Sequence, residues 1–174
     1  MKILAFGAST SSTSINRRFA VYAANQVAGA EVTDLDLRDF DLPIYSADLE
    51  AEQGAPADAQ RFLDLIQSHD GLVISMAEHN GSYSAAFKNL YDWTSRIEKN
   101  VWCGKPMLLL STSPGGRGGE SVMETAKATF PRMGADLKAT FSLPNFAESF
   151  DDSEGIGDAE LNALFVKALG AFSD

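Results

Sequence analysis

The chain is poor in the residues that carry metal, disulfide and nucleic-acid chemistry. Its 174 residues contain one cysteine, Cys103, and two histidines, His69 and His79. One thiol cannot form an internal disulfide or a thiolate cluster, and no group of residues has metal-ligand spacing, so no metal is expected and a reducing cytoplasm fits best. Basic residues are also scarce, 14 against 24 acidic ones, for a net charge of −10. No basic stripe is present, which argues against nucleic acid and against an anionic membrane surface as partners. Long apolar runs are missing as well. Only a few apolar residues separate Met1-Lys2 from Gly7, too few for a signal-peptide core or a membrane span. No paired carboxylates and no nucleophile–base pair show a convincing spacing, so no catalytic side chain is assigned.

What is present is an ordinary globular composition, 45% hydrophobic and 22% charged, long enough for one domain over residues 1–174. Strand and helix patterns alternate. Apolar runs at 2–7, 71–77 and 107–110 read as buried strands, with a more exposed strand at 31–37 and a short fifth one at 136–141. Helical periodicity covers 14–28, 57–68, 84–98, 120–130 and a C-terminal segment marked by Leu161, Leu164, Phe165, Ala168 and Leu169. Residues 38–56, with Pro43, Gly54 and Pro56, read as a long surface loop, and 144–157 as an acidic one. This alternation implies right-handed βαβ units and a parallel sheet covered on both faces. Five strands suit a doubly wound α/β fold of order 2-1-3-4-5, whose ligands sit beyond the carboxyl ends of strands 1 and 3.

Three loops leave that edge, and all are rich in Gly, Ser or Asn. The first, residues 8–14, is hydroxyl-rich and opens a helix, where unpaired amides and the helix dipole favour an anion. It lacks the Gly-Lys-Ser/Thr ending of a triphosphate loop and the Gly-x-Gly-x-x-Gly of a dinucleotide loop, which leaves a terminal monophosphate. Glu78-His79-Asn80-Gly81 offers turn backbone, a ring and an amide. Ser113-Pro114-Gly115-Gly116 lets backbone come close to a flat ring, because glycine has no side chain in the way.

These residues resemble the NAD(P)H-dependent FMN reductases of flavodoxin-like fold, a family that includes quinone, azo-dye and chromate reductases. Gly-Ala-Ser-Thr-Ser-Ser-Thr-Ser-Ile-Asn-Arg (7–17) is similar to the family's Gly-Ser-x-Arg-x-x-Ser-x-Asn loop. Ala-Glu-His-Asn-Gly-Ser (77–82) and Phe-Lys-Asn-Leu-Tyr-Asp-Trp (87–93) are similar to Pro-Glu-Tyr-Asn-Gly-Ser and Leu-Lys-Asn-Ala-x-Asp-Trp. Lys-Pro (105–106) through Ser-Pro-Gly-Gly-Arg-Gly-Gly (113–119) matches the fourth strand and Gly-rich loop. The resemblance implies a flavodoxin-like three-layer sandwich and an FMN-dependent enzyme. Hydride would pass from NAD(P)H to flavin and on to a small acceptor such as a quinone or free flavin.

By the same resemblance, Ser9, Ser11, Ser14, Ile15 and Asn16 form the phosphate loop. Glu78, His79, Asn80 and Gly81 line the isoalloxazine and ribityl portions, and Ser113, Gly115 and Gly116 approach the ring. Ser11 stands where the family has a phosphate-binding Arg, leaving Arg17 and Arg18 as candidates to supply that charge. An FMN-binding electron carrier or redox sensor, and a non-catalytic domain with a decayed loop, are the alternatives. The large apolar residues Phe87, Tyr91 and Trp93, with Trp102, suit either core packing or a subunit interface; the interface is the preferred reading, and the resemblance implies a homodimer or homotetramer. His69 is expected to be a surface cap at a helix end, and Glu78 to pair with Lys88 or another cation.

Overall fold

The computed structural model describes residues 1–173. Five strands, β1 (Lys2–Gly7), β2 (Glu31–Asp34), β3 (Gly71–Met76), β6 (Pro106–Thr112) and β7 (Asp136–Leu143), form one sheet. Its order is β2-β1-β3-β6-β7, all parallel. Two small antiparallel hairpins stand apart from it, β4 (Glu78–His79) with β5 (Ser82–Tyr83) and β8 (Phe150–Asp151) with β9 (Gly155–Ile156). The helices are α1 (Ile15–Asn25), α2 (Ala47–Gln53), α3 (Ala57–Ser68), α4 (Ala85–Ile97), α5 (Glu120–Thr129), α6 (Phe146–Ser149) and α7 (Ala159–Ser173).

Side chains alternate across the sheet with the period-2 pleat, and each set meets its own helical layer. Ile3, Ala5, Val73, Leu108 and Leu110 pack on Phe19, Ala20 and Ala23 of α1 and on Phe165, Ala168 and Phe172 of α7. Leu4, Phe6, Leu72, Ile74, Met107 and Leu109 face Phe62 and Ile66 of α3, Phe87 and Leu90 of α4, and Val122 and Ala126 of α5. Central strand β3 is buried throughout, as a parallel strand covered on both faces must be. The three-layer, 2-1-3-4-5 arrangement expected from the sequence is therefore the one found.

Four expectations change. The segment 38–56 is not a free loop: it contains a 3-10 turn at Leu37–Asp39 and helix α2, and it is strapped to α4. Asn89 Nδ2 donates to the carbonyls of Leu42 and Pro43, Trp93 Nε1 donates to the Pro43 carbonyl at 2.7 Å, and Tyr45 packs edge-on against Trp93. The large groups of α4 consequently need no second subunit to cover them: Phe87, Leu90, Tyr91 and Trp93 are at most 7% exposed within one chain. His69 is not a surface cap. It is buried, with Nδ1 against the Leu65 carbonyl at 2.7 Å and Nε2 against Thr33 Oγ1 at 2.8 Å, tying the end of α3 to β2. The 144–157 segment is acidic as expected but is not a plain loop: it holds α6 and the β8–β9 hairpin, and it buries Phe146, Phe150 and Ile156.

Candidate functional site

The carboxyl ends of β1, β3 and β6 enclose a cleft of about 190 Å³. It gathers the first loop and the start of α1 (Ser9, Ser11, Thr13, Ser14, Ile15, Asn16), Ala77, Glu78 and His79 after β3, and Thr112, Ser113 and Pro114 after β6. Of the residues assigned from sequence, Ser9, Ser11, Ser14, Ile15, Asn16, Glu78, His79 and Ser113 line this cleft, whereas Asn80, Gly81, Gly115 and Gly116 lie outside its wall.

The first loop is held by its own hydrogen bonds. Ser9 N–H donates to the Gly7 carbonyl, Ser11 N–H to Ser9 Oγ, and Ser14 N–H to the Ser11 carbonyl. Ser14 caps α1, its Oγ accepting from Arg17 N–H at 3.1 Å, the role a serine at a helix start is suited for. The N–H groups of Ile15 and Asn16, first and second in the helix, have no partner among the described residues. Two orphan donors at a helix N-terminus form an anion cradle. Gly7 sets how close α1 can come: a Cβ there would lie 2.2 Å from Arg17 N and 2.7 Å from Asn16 C.

Asn16 does a different job from the one its place in the motif suggested. Its amide is buried, 4% exposed, and committed to the protein. Oδ1 accepts from Ser75 Oγ at 2.7 Å and from Thr112 N–H at 3.1 Å, while Nδ2 donates to the Thr112 carbonyl at 3.1 Å. The side chain thus clamps α1 to the ends of β3 and β6, leaving the backbone N–H and one Nδ2 hydrogen without a partner among the described residues. Ser84 adds a second tie, donating to the Ala8 carbonyl at 2.7 Å while capping α4. Sequence reasoning missed Ser75, Thr112 and Ser84. The available signal was a hydroxyl at the end of an otherwise apolar strand, a polar group that must find a partner when buried.

Glu78 lines the cleft, but its carboxylate is engaged by the protein. Its Oε2 accepts from Val122 N–H at 3.0 Å, and its Oε1 lies 3.8 Å from Arg117 Nη2, so it does not pair with Lys88. Lys88 pairs with Asp92 instead. The N-cap of α5 is Gly119, which has no side chain to cap with. Glu78 supplies the missing acceptor from the neighbouring loop, where a carboxylate also suits the helix dipole. Asn80 and Gly81, with φ of 52° and 76°, are the two central residues of the β4–β5 hairpin, the left-handed pair an Asn-Gly type I′ turn requires.

The Gly-rich loop divides in two. Gly118 and Gly119 have φ of 59° and 80°, and a Cβ on them would lie 2.9 Å from Leu143 C and 3.1 Å from Ser111 Cβ. The fold requires both. Around Gly115 there is nothing within 4 Å of a Cβ, and around Gly116 only Asn145 Oδ1 at 3.8 Å. Nothing in the protein itself demands glycine at these two positions.

Neither arginine compensates for Ser11. Arg17 holds Asp34 in a two-point contact, at 2.7 and 3.0 Å, and also pairs with Asp36. Arg18 pairs with Asp152 at 2.8 Å. The hydrogen bond to Asp34 raises the Arg17 pKa further, while hydrogen bonds from Arg38 pull Asp36 down to about 2. The cradle is consequently neutral, made of amide and hydroxyl donors. Among the described residues no group of three or more His, Cys, Asp or Glu could hold a metal, and no helix is long and apolar enough to cross a membrane.

A parallel 2-1-3-4-5 sheet with an amide cradle after β1 and a Gly-rich loop after β6 defines a flavodoxin-like flavoprotein domain. The chain belongs to the NADPH-dependent FMN reductase family, whose profile matches residues 1–148. A quinone reductase of Pseudomonas putida is 32% identical over 149 residues, covering 83% of this chain and 78% of that protein. A quinone reductase of Escherichia coli K12 is 39% identical over 79 residues, 45% of this chain. That match spans 42% of the Escherichia coli protein's length. Among solved structures, the flavoenzyme NAD(P)H:(acceptor) oxidoreductase FerB of Paracoccus denitrificans superimposes with a TM-score of 0.77 at 27% identity, covering 99% of this chain and 95% of FerB.

Proposed function

We propose that the chain is an FMN-dependent oxidoreductase that takes hydride from NAD(P)H and passes it to a small acceptor of the quinone type. One observation carries the reading: the unpartnered amides at the start of α1 share a single cleft with the ends of β3 and β6. Family membership and the quinone-reducing relatives support the same activity.

The donor chemistry of the cleft suits the cofactor's phosphate. The N–H groups of Ile15 and Asn16 and the hydroxyls of Ser9, Ser11 and Ser14 would hold the phosphate, using the helix dipole in place of a cation. The backbone after Ala77 and after Ser113 would flank the ribityl chain and ring, and Gly115 and Gly116 would leave room for the ring to lie against the main chain. FMN, when bound, supplies the centre that accepts and donates hydride. The protein's part is to orient it: Asn16 fixes the distance between cradle and ring loop, and Glu78 anchors α5 behind them. Such positioning is what a cofactor enzyme's scaffold contributes. No proton relay is assigned to a side chain, and exposed His79 lines the cleft without one.

The reading extends to assembly as a homodimer or homotetramer of a single-domain chain in the cytoplasm. The support for assembly is the family resemblance; the cleft itself, of about 190 Å³, is below the roughly 300–1,000 Å³ of pockets that engulf a small molecule and would leave part of the ring exposed. The support for the cytoplasm is the free thiol of Cys103. The test is steady-state oxidation of NADPH and of NADH by flavin-loaded protein with benzoquinone as acceptor. Turnover that requires all three components is expected. A protein that holds FMN but turns over with neither nucleotide is an electron carrier, and the enzyme reading fails.

A further inference from the structure

A larger cavity lies outside this cleft, on the far side of the Gly-rich loop. It is a groove of about 670 Å³ that starts at Gly116 and Arg117 and runs between α5 and α7 over β7, the edge strand of the sheet. Its volume falls within the range of small-molecule sites. Gly116 and Arg117 follow directly on Ser113 and Pro114, which line the cleft, so the groove opens on the other side of the same loop.

Its charge is opposite to that of the molecule. In a chain with 24 acidic and 14 basic residues, three cations, Arg117, Lys127 and Lys167, line the groove against two carboxylates, Glu120 and Glu124. Arg117 is 74% exposed, with its nearest carboxylate, Glu78, 3.8 Å away. Lys167 has no ion-pair partner among the described residues. Lys127 pairs with Glu124 at 2.8 Å in an exposed contact of the kind that is weak and easily exchanged. The seven helical steps from Glu120 to Lys127 place Lys127 roughly 10 Å down α5 from the ring loop. Across from it, Leu161 and Leu164 of α7 offer an apolar wall, and Leu164 is 57% exposed.

We propose that this groove binds the adenosine phosphate end of the pyridine dinucleotide reductant. The inference rests on the functional reading above and names the place where the second substrate lies. With the nicotinamide at the ring loop, the diphosphate meets Arg117, a phosphate on the adenosine ribose meets Lys127 and Lys167, and the purine rests on Leu161 and Leu164. A strand added to the β7 edge by another protein is the competing occupant. The edge carries a register irregularity at Lys138, between Leu137 and Ala139, and a bulge with an edge lysine is a device that discourages strand addition.

The test is calorimetric titration of 2′,5′-ADP into the FMN-loaded protein, repeated with the Lys127→Glu/Lys167→Glu double variant and the Lys167→Glu single variant. FMN affinity and melting temperature are measured in each. Saturable binding that weakens at least tenfold in the double variant, and by a smaller factor in the single one, is expected, with FMN affinity unchanged. Binding that the variants leave unaltered overturns the proposal. So does absence of 2′,5′-ADP binding by protein that binds FMN, and the groove is then left to a protein partner. If FMN itself does not bind, the functional reading fails, an outcome distinct from the other two.

Discussion

The two ends of the cleft use their conspicuous residues differently. At the phosphate end, Gly7 and Asn16 are explained by the protein: α1 could not approach β1 past a side chain at 7, and the Asn16 amide is consumed by Ser75 and Thr112. At the ring end, Gly118 and Gly119 are explained in the same way, but Gly115 and Gly116 are not. A motif residue that the fold itself demands says little about the ligand. One with open space around it, beside a cleft, says more.

The comparison can be broken by experiment, and the largest effect is expected at Gly7. Gly7→Ala drives a Cβ into the backbone of α1, and overpacking against main chain should cost about 3 kcal/mol, read as a drop in denaturant midpoint together with loss of FMN binding. Asn16→Ala comes next. It strands the Thr112 amide and the Ser75 hydroxyl, and each buried group left without a partner costs about 1–3 kcal/mol. Stability and FMN affinity should fall together. A stable variant that lost only FMN affinity would return Asn16 to the ligand side of the comparison. Glu78→Ala removes the cap of α5 for about 1 kcal/mol, again a stability effect.

Gly115→Ala and Gly116→Ala sharpen the contrast from the other end. Neither needs a positive φ or meets a close neighbour, so stability should hold or rise by roughly 0.5 kcal/mol, while FMN affinity falls. The smallest effect concerns pH. Asp36 is held at about 2 by Arg38 and Arg17, below its unfolded value near 3.9. Its contribution is therefore present above about pH 4 and lost as pH drops toward 2. Asp36→Asn should flatten acid unfolding across that window by about 1 kcal/mol or less, the scale of a surface ion pair.

The sheet order, the helices and the convergence of three loops were legible because they rest on periodicity and on glycine and hydroxyl placement, which are local signals. What was not legible depended on long-range partners. Trp93 looked like interface material until Pro43, fifty residues earlier, covered it. Arg17 sits one residue from Asn16 yet belongs to Asp34 at the end of β2 and to Asp36 just beyond it. Glu78 reads as a ligand in its motif, but Gly119 leaves α5 without a cap and the carboxylate fills that need. In each case the sequence displays the functional group, and the competing demand for it lies elsewhere in the chain.

A neutral cradle at the start of α1 is proposed to hold the phosphate of a flavin. Fluorescence-quenching titrations with FMN and with riboflavin, which lacks that phosphate, probe this contact. FMN should bind at one per chain and at least tenfold more tightly than riboflavin. Equal affinities would show that the phosphate does not sit at Ser9–Asn16 and would contradict the account.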